Sequence, residues 1–112
     1  SSITAVLGTD NIGAYGISKA AEAALVRNLA VELGPKGIRV NGIAPGLIKT
    51  DFSRALWENP SHLKRQENST PLRRIGTPDD IAGIAHFLAC EASSFITGQL
   101  IIADGGETIS WT

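Results

Sequence analysis

Residues 14–34 read AYGISKAAEAALVRNLAVELG, and this stretch decides the interpretation of the fold. Its apolar side chains recur at helical spacing, which predicts a helix from about Tyr15 to Leu33. Gly34 and Pro35 end that helix, because glycine relaxes the last turn and proline cannot continue it. The early part of the chain is therefore predicted to be one long and largely apolar helix.

Two short strands are predicted downstream of this helix. The segment IRVNGIA, Ile38–Ala44, alternates β-branched and polar residues and ends in a Pro45–Gly46 turn. The segment GQLIIADGG, Gly98–Gly106, is a short apolar strand that closes in a glycine turn. Between the two strands, Thr77–Asp80 combines a threonine cap, a first-turn proline and two aspartates, which favours the start of another helix. Strands that alternate with helices indicate parallel pairing in an α/β structure.

The segment 51–74 has a different composition from the rest of the chain. It is polar and contains two prolines, and we expect one or two short helices in a mobile excursion. Its apolar side chains Phe52, Leu56 and Trp57 are open to two interpretations. They either line an apolar pocket beneath a lid or pack against the domain itself.

Composition excludes several classes of function. The chain has 112 residues and a net charge of −1, with no basic excess that would attract nucleic acid or an anionic membrane. Its apolar runs are far shorter than the roughly 20 residues of a membrane span. Cys90 is the single cysteine, so no internal disulfide can form, and no cluster of ligand residues suggests a metal site. We expect no nucleic acid, membrane or metal partner.

Tyr15 and Lys19 stand four residues apart at the start of the apolar helix and therefore lie on one face. A free tyrosine has a pKa of about 10, and a neighbouring ammonium group lowers it toward a range useful for proton transfer. The spacing alone is common by chance. Its alternative explanation is an amphipathic helix whose Tyr and Lys reach toward water at its end.

Five elements occur together along the chain. They are the second serine of SSITAV, the Y-x-x-x-K pair, RVNGIAPG, the helix start TPDDIA, and ITG followed by DGG. In this order and spacing the sequence resembles the short-chain dehydrogenase/reductase family over nearly its entire length. The resemblance implies an α/β fold that is the C-terminal portion of a Rossmann-type doubly wound parallel sheet. It would comprise the last two strands with their flanking helices, and the N-terminal cofactor-binding half would be absent.

The resemblance assigns a catalytic role to three residues. Tyr15 matches the general acid/base of the family, which exchanges a proton with the substrate oxygen. Lys19 matches the residue that lowers the tyrosine pKa and hydrogen-bonds the nicotinamide ribose. Ser2 matches the hydroxyl that holds and polarises the substrate oxygen. Hydride transfer needs little more from a protein, because the cofactor carries the hydride.

The resemblance also implies a wall for the nicotinamide side of the cofactor. The Pro45–Gly46 turn belongs to this wall, and the Ile48 backbone and Thr50 hydroxyl would meet the carboxamide. Tyr15 and Lys19 would contact the cofactor as well. The cofactor is NAD or NADP, and residues outside these 112 would decide between them.

Other residues that draw notice have weaker support. Asn41 matches the family pattern, but a structural role at the end of a strand is favoured. Arg39 and Arg27 are expected to be solvated or ion-paired. His62 has no motif support, and His86, within its apolar helix, is expected to be a packing residue.

Family members are considerably longer than this chain, and their first half carries a Gly-rich turn that meets the cofactor pyrophosphate. No G-x-x-x-G-x-G stands in residues 1–112. We therefore expect residues 1–112 to form a single partial domain, the catalytic and substrate-lid half, with the lid at about 51–74. This chain by itself is expected to be an inactive fragment.

The leading functional hypothesis is an oxidoreductase that transfers hydride between NAD(P)(H) and a carbonyl or secondary alcohol. The segment APGLIKTDFSRALW is similar both to carbonyl reductases that accept ketones, dicarbonyls and retinoids and to bacterial ketoacyl reductases. The alternative is a non-catalytic fragment that acts as an association module. The resemblance implies a homo-oligomer, dimer or tetramer, and the ending ISWT, unlike a peroxisomal S-K-L, leaves a cytoplasmic location as the expectation.

Overall fold

The computed structural model describes residues 1–111, and Thr112 at the end of ISWT lies outside the described residues. Six regular elements follow one another: α1 Gly13–Leu33, β1 Gly42–Pro45, α2 Arg54–Trp57, α3 Pro60–Ser69, α4 Pro78–Ala89 and β2 Leu100–Ala103. Single 3-10 turns occupy Ile3–Ala5, Gly34–Lys36, Glu91–Ser93 and Glu107–Ile109. The predicted long helix, the two short helices of segment 51–74 and the helix start at Thr77 are confirmed.

The two strands form a parallel sheet, as the alternation of elements predicts. Gly42 lies opposite Leu100, and the register runs to Pro45 opposite Ala103. The prediction of a strand from residue 38 is wrong for residues 38–41. That segment runs beside residues 97–98 without forming a ladder, because the Val40 amide donates to the Thr97 hydroxyl (3.0 Å). The second strand is likewise shorter than the predicted 98–106.

Arg39 and Asn41 join the segment before β1 to the segment before β2. The Arg39 guanidinium is half-buried and donates to the main-chain carbonyls of Leu88 (2.7 Å) and Ile96 (3.2 Å). The prediction that Arg39 is solvated or ion-paired is therefore wrong. The Asn41 side chain donates to the Ile96 carbonyl (2.9 Å) and accepts from the Gln99 amide (3.1 Å), which agrees with the structural role favoured for it.

Small residues bring α1 close to β1. Ala23 and Ala30 are the buried residues of α1, and Ala44 is buried in β1. A Cβ added to Gly42 would lie 3.4 Å from a Val26 methyl carbon, so glycine at this position lets helix and strand approach. Apolar side chains of α1 that point away from this contact are exposed: Ile17, Leu25 and Val31.

The start of α4 is held by a carboxylate. Asp80 accepts hydrogen bonds from the Thr77 amide (2.8 Å) and the Thr77 hydroxyl (3.1 Å). The Arg74 guanidinium donates a hydrogen bond to each oxygen of the same carboxylate, at 2.7 and 3.0 Å. The Arg74 hydrogen bonds, followed by those from Thr77, hold the pKa of Asp80 far below its usual range.

The outer face of α4 carries His86, which is exposed, so the prediction of a packing role for it is wrong. Its Nε2 atom lies 3.6 Å from the sulfur of Cys90, the half-buried free cysteine. Within residues 1–111, no helix has the length and apolar character required to cross a membrane.

Candidate active site

A cavity of about 760 Å³ opens where β1 ends and α1 begins. Its walls come from the N-terminal segment, the first turn of α1, the segment after β1 and helix α3. The structure brings six residues that the sequence singles out to this one cavity: Ser2, Tyr15, Pro45, Gly46, Ile48 and Thr50. Loops at the carboxyl ends of parallel strands are a usual location for ligand sites in α/β folds.

Ser2 and Tyr15 approach the cavity from two turns packed on each other. Ser2 precedes the 3-10 turn Ile3–Ala5, and its Oγ accepts from the Thr4 amide (3.2 Å). Tyr15 lies in the first turn of α1 and is 41% exposed. A Cβ added to Gly16 would lie 3.2 Å from the Thr4 carbonyl oxygen, so the absence of a side chain at Gly16 allows the two turns to meet.

Lys19 lies one turn after Tyr15. Its ammonium nitrogen is 5.1 Å from the centroid of the Tyr15 ring and 3.1 Å from a Glu22 carboxylate oxygen. The hydrogen bond to Glu22 raises the pKa of Lys19, and the same bond lowers the pKa of Glu22. The structure thus brings Lys19 to Tyr15, while Lys19 is not among the residues that line the cavity.

The segment after β1 is fixed by the side chain of Ser53. Its hydroxyl donates to the Ile48 carbonyl, accepts from the Thr50 amide at 3.1 Å and lies 3.1 Å from the Thr50 hydroxyl. The indole of Trp57 adds a hydrogen bond to the Thr50 carbonyl (2.9 Å). Among residues 1–111 the Ile48 amide donates to no acceptor. Ile48 and Thr50 are thereby held in one arrangement at the cavity wall.

Gly46 connects this wall to the end of β2. Its amide donates to the Ala103 carbonyl (3.0 Å), and an added Cβ would lie 2.9 Å from the Asp104 Cα. Burial alone would raise the pKa of Asp104, but hydrogen bonds from the Thr108 and Gly106 amides lower it below its usual value. The turn that follows β2 is therefore held in place by a carboxylate and backs the cavity wall.

A family profile described as Enoyl-(Acyl carrier protein) reductase matches residues 1–108. The pig protein "Dehydrogenase/reductase SDR family member 4" is 47% identical over 106 residues, which make up 95% of this chain. The chain belongs to the short-chain dehydrogenase/reductase family. It spans 38% of the length of that pig relative. Membership assigns the chain to a family of oxidoreductases.

Solved structures of short-chain dehydrogenases resemble this chain closely. A 4-hydroxyisoleucine dehydrogenase complexed with NADH superposes with a TM-score of 0.94 and 31% identity, over 98% of this chain and 45% of its own. A gluconate 5-dehydrogenase from Burkholderia cenocepacia, in complex with NADP and tartrate, has a TM-score of 0.92 and 34% identity, over 97% of this chain and 43% of its own. The α/β arrangement with two parallel strands thus matches part of the Rossmann-type fold of these dehydrogenases.

Each of the two interpretations of the apolar residues in segment 51–74 applies to some of these residues. Phe52 and Leu56 line the cavity and are 95% and 58% exposed. Trp57 does not line the cavity and packs instead against the residues just before this segment: the Lys49 ammonium lies 4.9 Å from its ring centroid, and its indole donates to the Thr50 carbonyl. The pocket interpretation therefore applies to two of the three residues.

Several polar residues of the chain line the cavity although no sequence motif marks them: Ser53, His62, Arg65, Gln66 and Glu107. The Gln66 amide donates to the Glu107 carboxylate (2.9 Å). Burial raises the pKa of Glu107, and the Gln66 hydrogen bond offsets part of that rise. For His62, Arg65 and Gln66 the available signal is helical spacing, because residues three and four apart in α3 share a face.

Proposed function

We propose that this protein transfers a hydride between a nicotinamide cofactor and a carbonyl or secondary alcohol, and that the cavity at the end of β1 is its active site. One observation carries the proposal. Ser2 and Tyr15, the proton-handling pair, line the same cavity as Ile48 and Thr50, the expected nicotinamide wall. Family membership supplies the reaction class.

Tyr15 and Ser2 act on the substrate oxygen. In reduction the Tyr15 hydroxyl gives its proton to the carbonyl oxygen, and in oxidation the phenolate removes a proton from the alcohol. The Ser2 oxygen already accepts from the Thr4 amide, so its own proton is available to the substrate oxygen, where negative charge develops. Lys19 places a positive charge 5.1 Å from the centre of the ring that carries the transferred proton.

The cofactor of this proposal is NAD or NADP, whose nicotinamide ring supplies or accepts the hydride. The open amide of Ile48 and the hydroxyl of Thr50 would hold the carboxamide, with Pro45 and Gly46 against the ring. A cavity of about 760 Å³ lies within the usual range of small-molecule sites. The residues present therefore fit a nicotinamide.

The proposal separates the role of these 112 residues from that of a family-length protein. The chain contains no Gly-rich phosphate motif and spans 38% of the pig relative. We therefore assign it the catalytic part, with residues 51–74 as the substrate lid, and expect no turnover by the 112 residues alone. Carbonyl reductase and ketoacyl reductase both remain candidate activities, and a cytoplasmic location stays a prediction.

The experiment is a titration of NADH and NADPH followed by cofactor fluorescence. Two samples are compared, the 112-residue chain and a family-length polypeptide that contains it, and oxidation of the reduced cofactor by a neutral ketone is then measured. We expect saturable binding and turnover only in the longer polypeptide. Saturable binding by residues 1–112 would overturn the inactivity assigned to them, and no ketone-dependent oxidation in either sample would overturn the proposed activity.

A second candidate function, an association module, is favoured by one observation. α1 exposes Ile17 (73%), Leu25 (55%) and Val31 (80%), a set of apolar side chains that a partner would cover. We propose a homo-oligomer through this helix, dimer or tetramer. Sedimentation equilibrium of the protein and of Val31→Glu tests it. A monomer in both samples contradicts the module, whereas an oligomer lost in Val31→Glu supports it.

A further inference from the structure

Helix α3 brings a cation to the cavity that no motif of the sequence marks. Arg65 lines the cavity together with His62, which lies one turn earlier on the same helix. Two other arginines form ion pairs: Arg74 with Asp80, and Arg54 with Asp51. Within residues 1–111 the Arg65 guanidinium has neither an ion-pair nor a hydrogen-bond partner.

The acidic side chain at the same cavity is already engaged. The Glu107 carboxylate accepts from the Gln66 amide at 2.9 Å, and its burial disfavours the charged form. Arg65 is therefore a cation without a counter-charge from the described chain, on the wall of a cavity that also holds Tyr15 and Ser2. A guanidinium binds a carboxylate through two parallel hydrogen bonds.

We propose that the substrate carries a carboxylate, which Arg65 binds while the carbonyl lies at Ser2 and Tyr15. The inference rests on the proposed function and names its substrate class: an oxo or hydroxy carboxylic acid. Phe52 and Leu56 line the same cavity and suit an apolar body between the two polar ends. A single negative charge matches the single guanidinium.

Direct binding measurements test the inference without the cofactor. The probes are 4-acetylbenzoate, whose benzene ring separates a ketone from a carboxylate, and its methyl ester, in which one methyl group removes the charge. Binding is followed by calorimetry and by two-dimensional NMR of the arginine side chains. We expect the acid to bind about tenfold more tightly than the ester, a difference of about 1.4 kcal/mol, because hydrogen bonds to charged groups contribute an amount of this order. Equal affinity for the two probes would overturn the inference.

Three variants locate the effect. Arg65→Gln is expected to weaken acid binding about tenfold and leave the ester unchanged. Arg65→Lys keeps the charge and should retain part of the difference. Lys64→Gln is the matched control, since Lys64 is exposed on the same helix and does not line the cavity. Equal losses in Arg65→Gln and Lys64→Gln would show a general charge effect and overturn the assignment.

The outcomes separate this inference from the proposed function. Reduction of a neutral ketone without preferential binding of the acid would overturn the inference alone. Binding of the acid without Tyr15-dependent hydride transfer would overturn the proposed function and, with it, the identification of the acid as substrate. A phenylalkyl phosphate that binds more tightly than the acid would replace carboxylate by phosphate as the recognised group.

Discussion

The two walls of the cavity are held by different kinds of contact. After β1, the Ser53 hydroxyl and the Trp57 indole bond the backbone of Ile48 and Thr50. At the start of α1, Tyr15 is 41% exposed and its position follows from the approach of Gly16 to Thr4. One wall is fixed by hydrogen bonds within its own segment, and the other by the placement of a whole helix.

This difference leads us to expect that the two walls serve different steps of the proposed reaction. A wall locked by local hydrogen bonds is preorganised, so a planar ligand binds there with little reorganisation. A wall that depends on the docking of α1 is sensitive to anything that moves the helix, including a covering partner on its exposed apolar side. We expect substitutions after β1 to alter cofactor binding and substitutions at the start of α1 to alter the proton transfer.

The largest effect is expected on the α1 wall. Tyr15→Phe removes the proton donor and should lower kcat at least about 100-fold in the family-length polypeptide, with the KM for the cofactor little changed. Asn28→Ala is the control, because Asn28 lies on the same helix, is exposed and does not line the cavity. Steady-state kinetics decide, and a similar kcat in Tyr15→Phe and wild type would remove Tyr15 from the mechanism.

The next effect concerns the wall after β1. In Gly46→Ala the new Cβ would lie 2.9 Å from the Asp104 Cα, so the backbone of one turn must shift. Overpacking of this kind lowers the free energy of unfolding by about 1–3 kcal/mol. Gly34→Ala is the control, since nothing lies within 4 Å of its added Cβ. Urea denaturation measures both, and equal stability of the two variants would contradict the tight contact.

Ser53→Ala tests the hydrogen bonds of the wall after β1 and, unlike Gly46→Ala, adds no atom that would force the backbone to shift. It removes the hydroxyl that bonds Ile48 and Thr50, and net hydrogen-bond values predict a loss of about 1–2 kcal/mol in the free energy of unfolding. We expect the KM for the cofactor to rise several-fold while kcat changes little. Ser94→Ala, at an exposed position away from the cavity, should change neither. A fall in kcat alone would place Ser53 in the chemistry instead.

The smallest expected effect is a dependence on pH that Asp80 gives to the wall after β1. The main chains of Leu47 and Lys49 bond that of Gly76, which precedes the Asp80 cap of α4. The folded-state pKa of Asp80 is lowered, so its contribution to stability is full above the unfolded-state pKa near 4 and is lost as the pH falls toward the folded-state value.

Acid should therefore loosen the wall after β1 through Asp80. Hydrogen exchange at the Trp57 indole reports on that wall, and main-chain amides of α1 report on the other, where Glu22 has a lowered pKa of its own. We expect Asp80→Asn to flatten the pH dependence at Trp57 and to leave that of α1 unchanged. An unaltered pH dependence at Trp57 in Asp80→Asn would contradict the role of the Asp80 cap.

Sequence patterns predict the parts of the fold that local chemistry decides. The helix through Tyr15 and Lys19 follows from apolar spacing, and α4 begins where its cap residues stand. The predicted strand begins at Ile38, earlier than β1 does, because Arg39 and Asn41 bond to residues 88–99 and no local pattern reveals these partners. Within the candidate site, the family motifs predict Ser2, Tyr15 and the segment after β1, and these residues line one cavity. These motifs do not reach Arg65, which lies in α3 within segment 51–74.

The contacts of Arg39 also bear on the order in which parts of the chain fold. Its acceptors at Leu88 and Ile96 stand 49 and 57 residues further along the chain. Contacts this distant in sequence close late, since the chain entropy of a long loop must be overcome first. During synthesis, α1 emerges well before the segment that holds β1 in place. Tyr15 is thus synthesised before β2 and before Glu107, the last residue along the chain that lines its cavity.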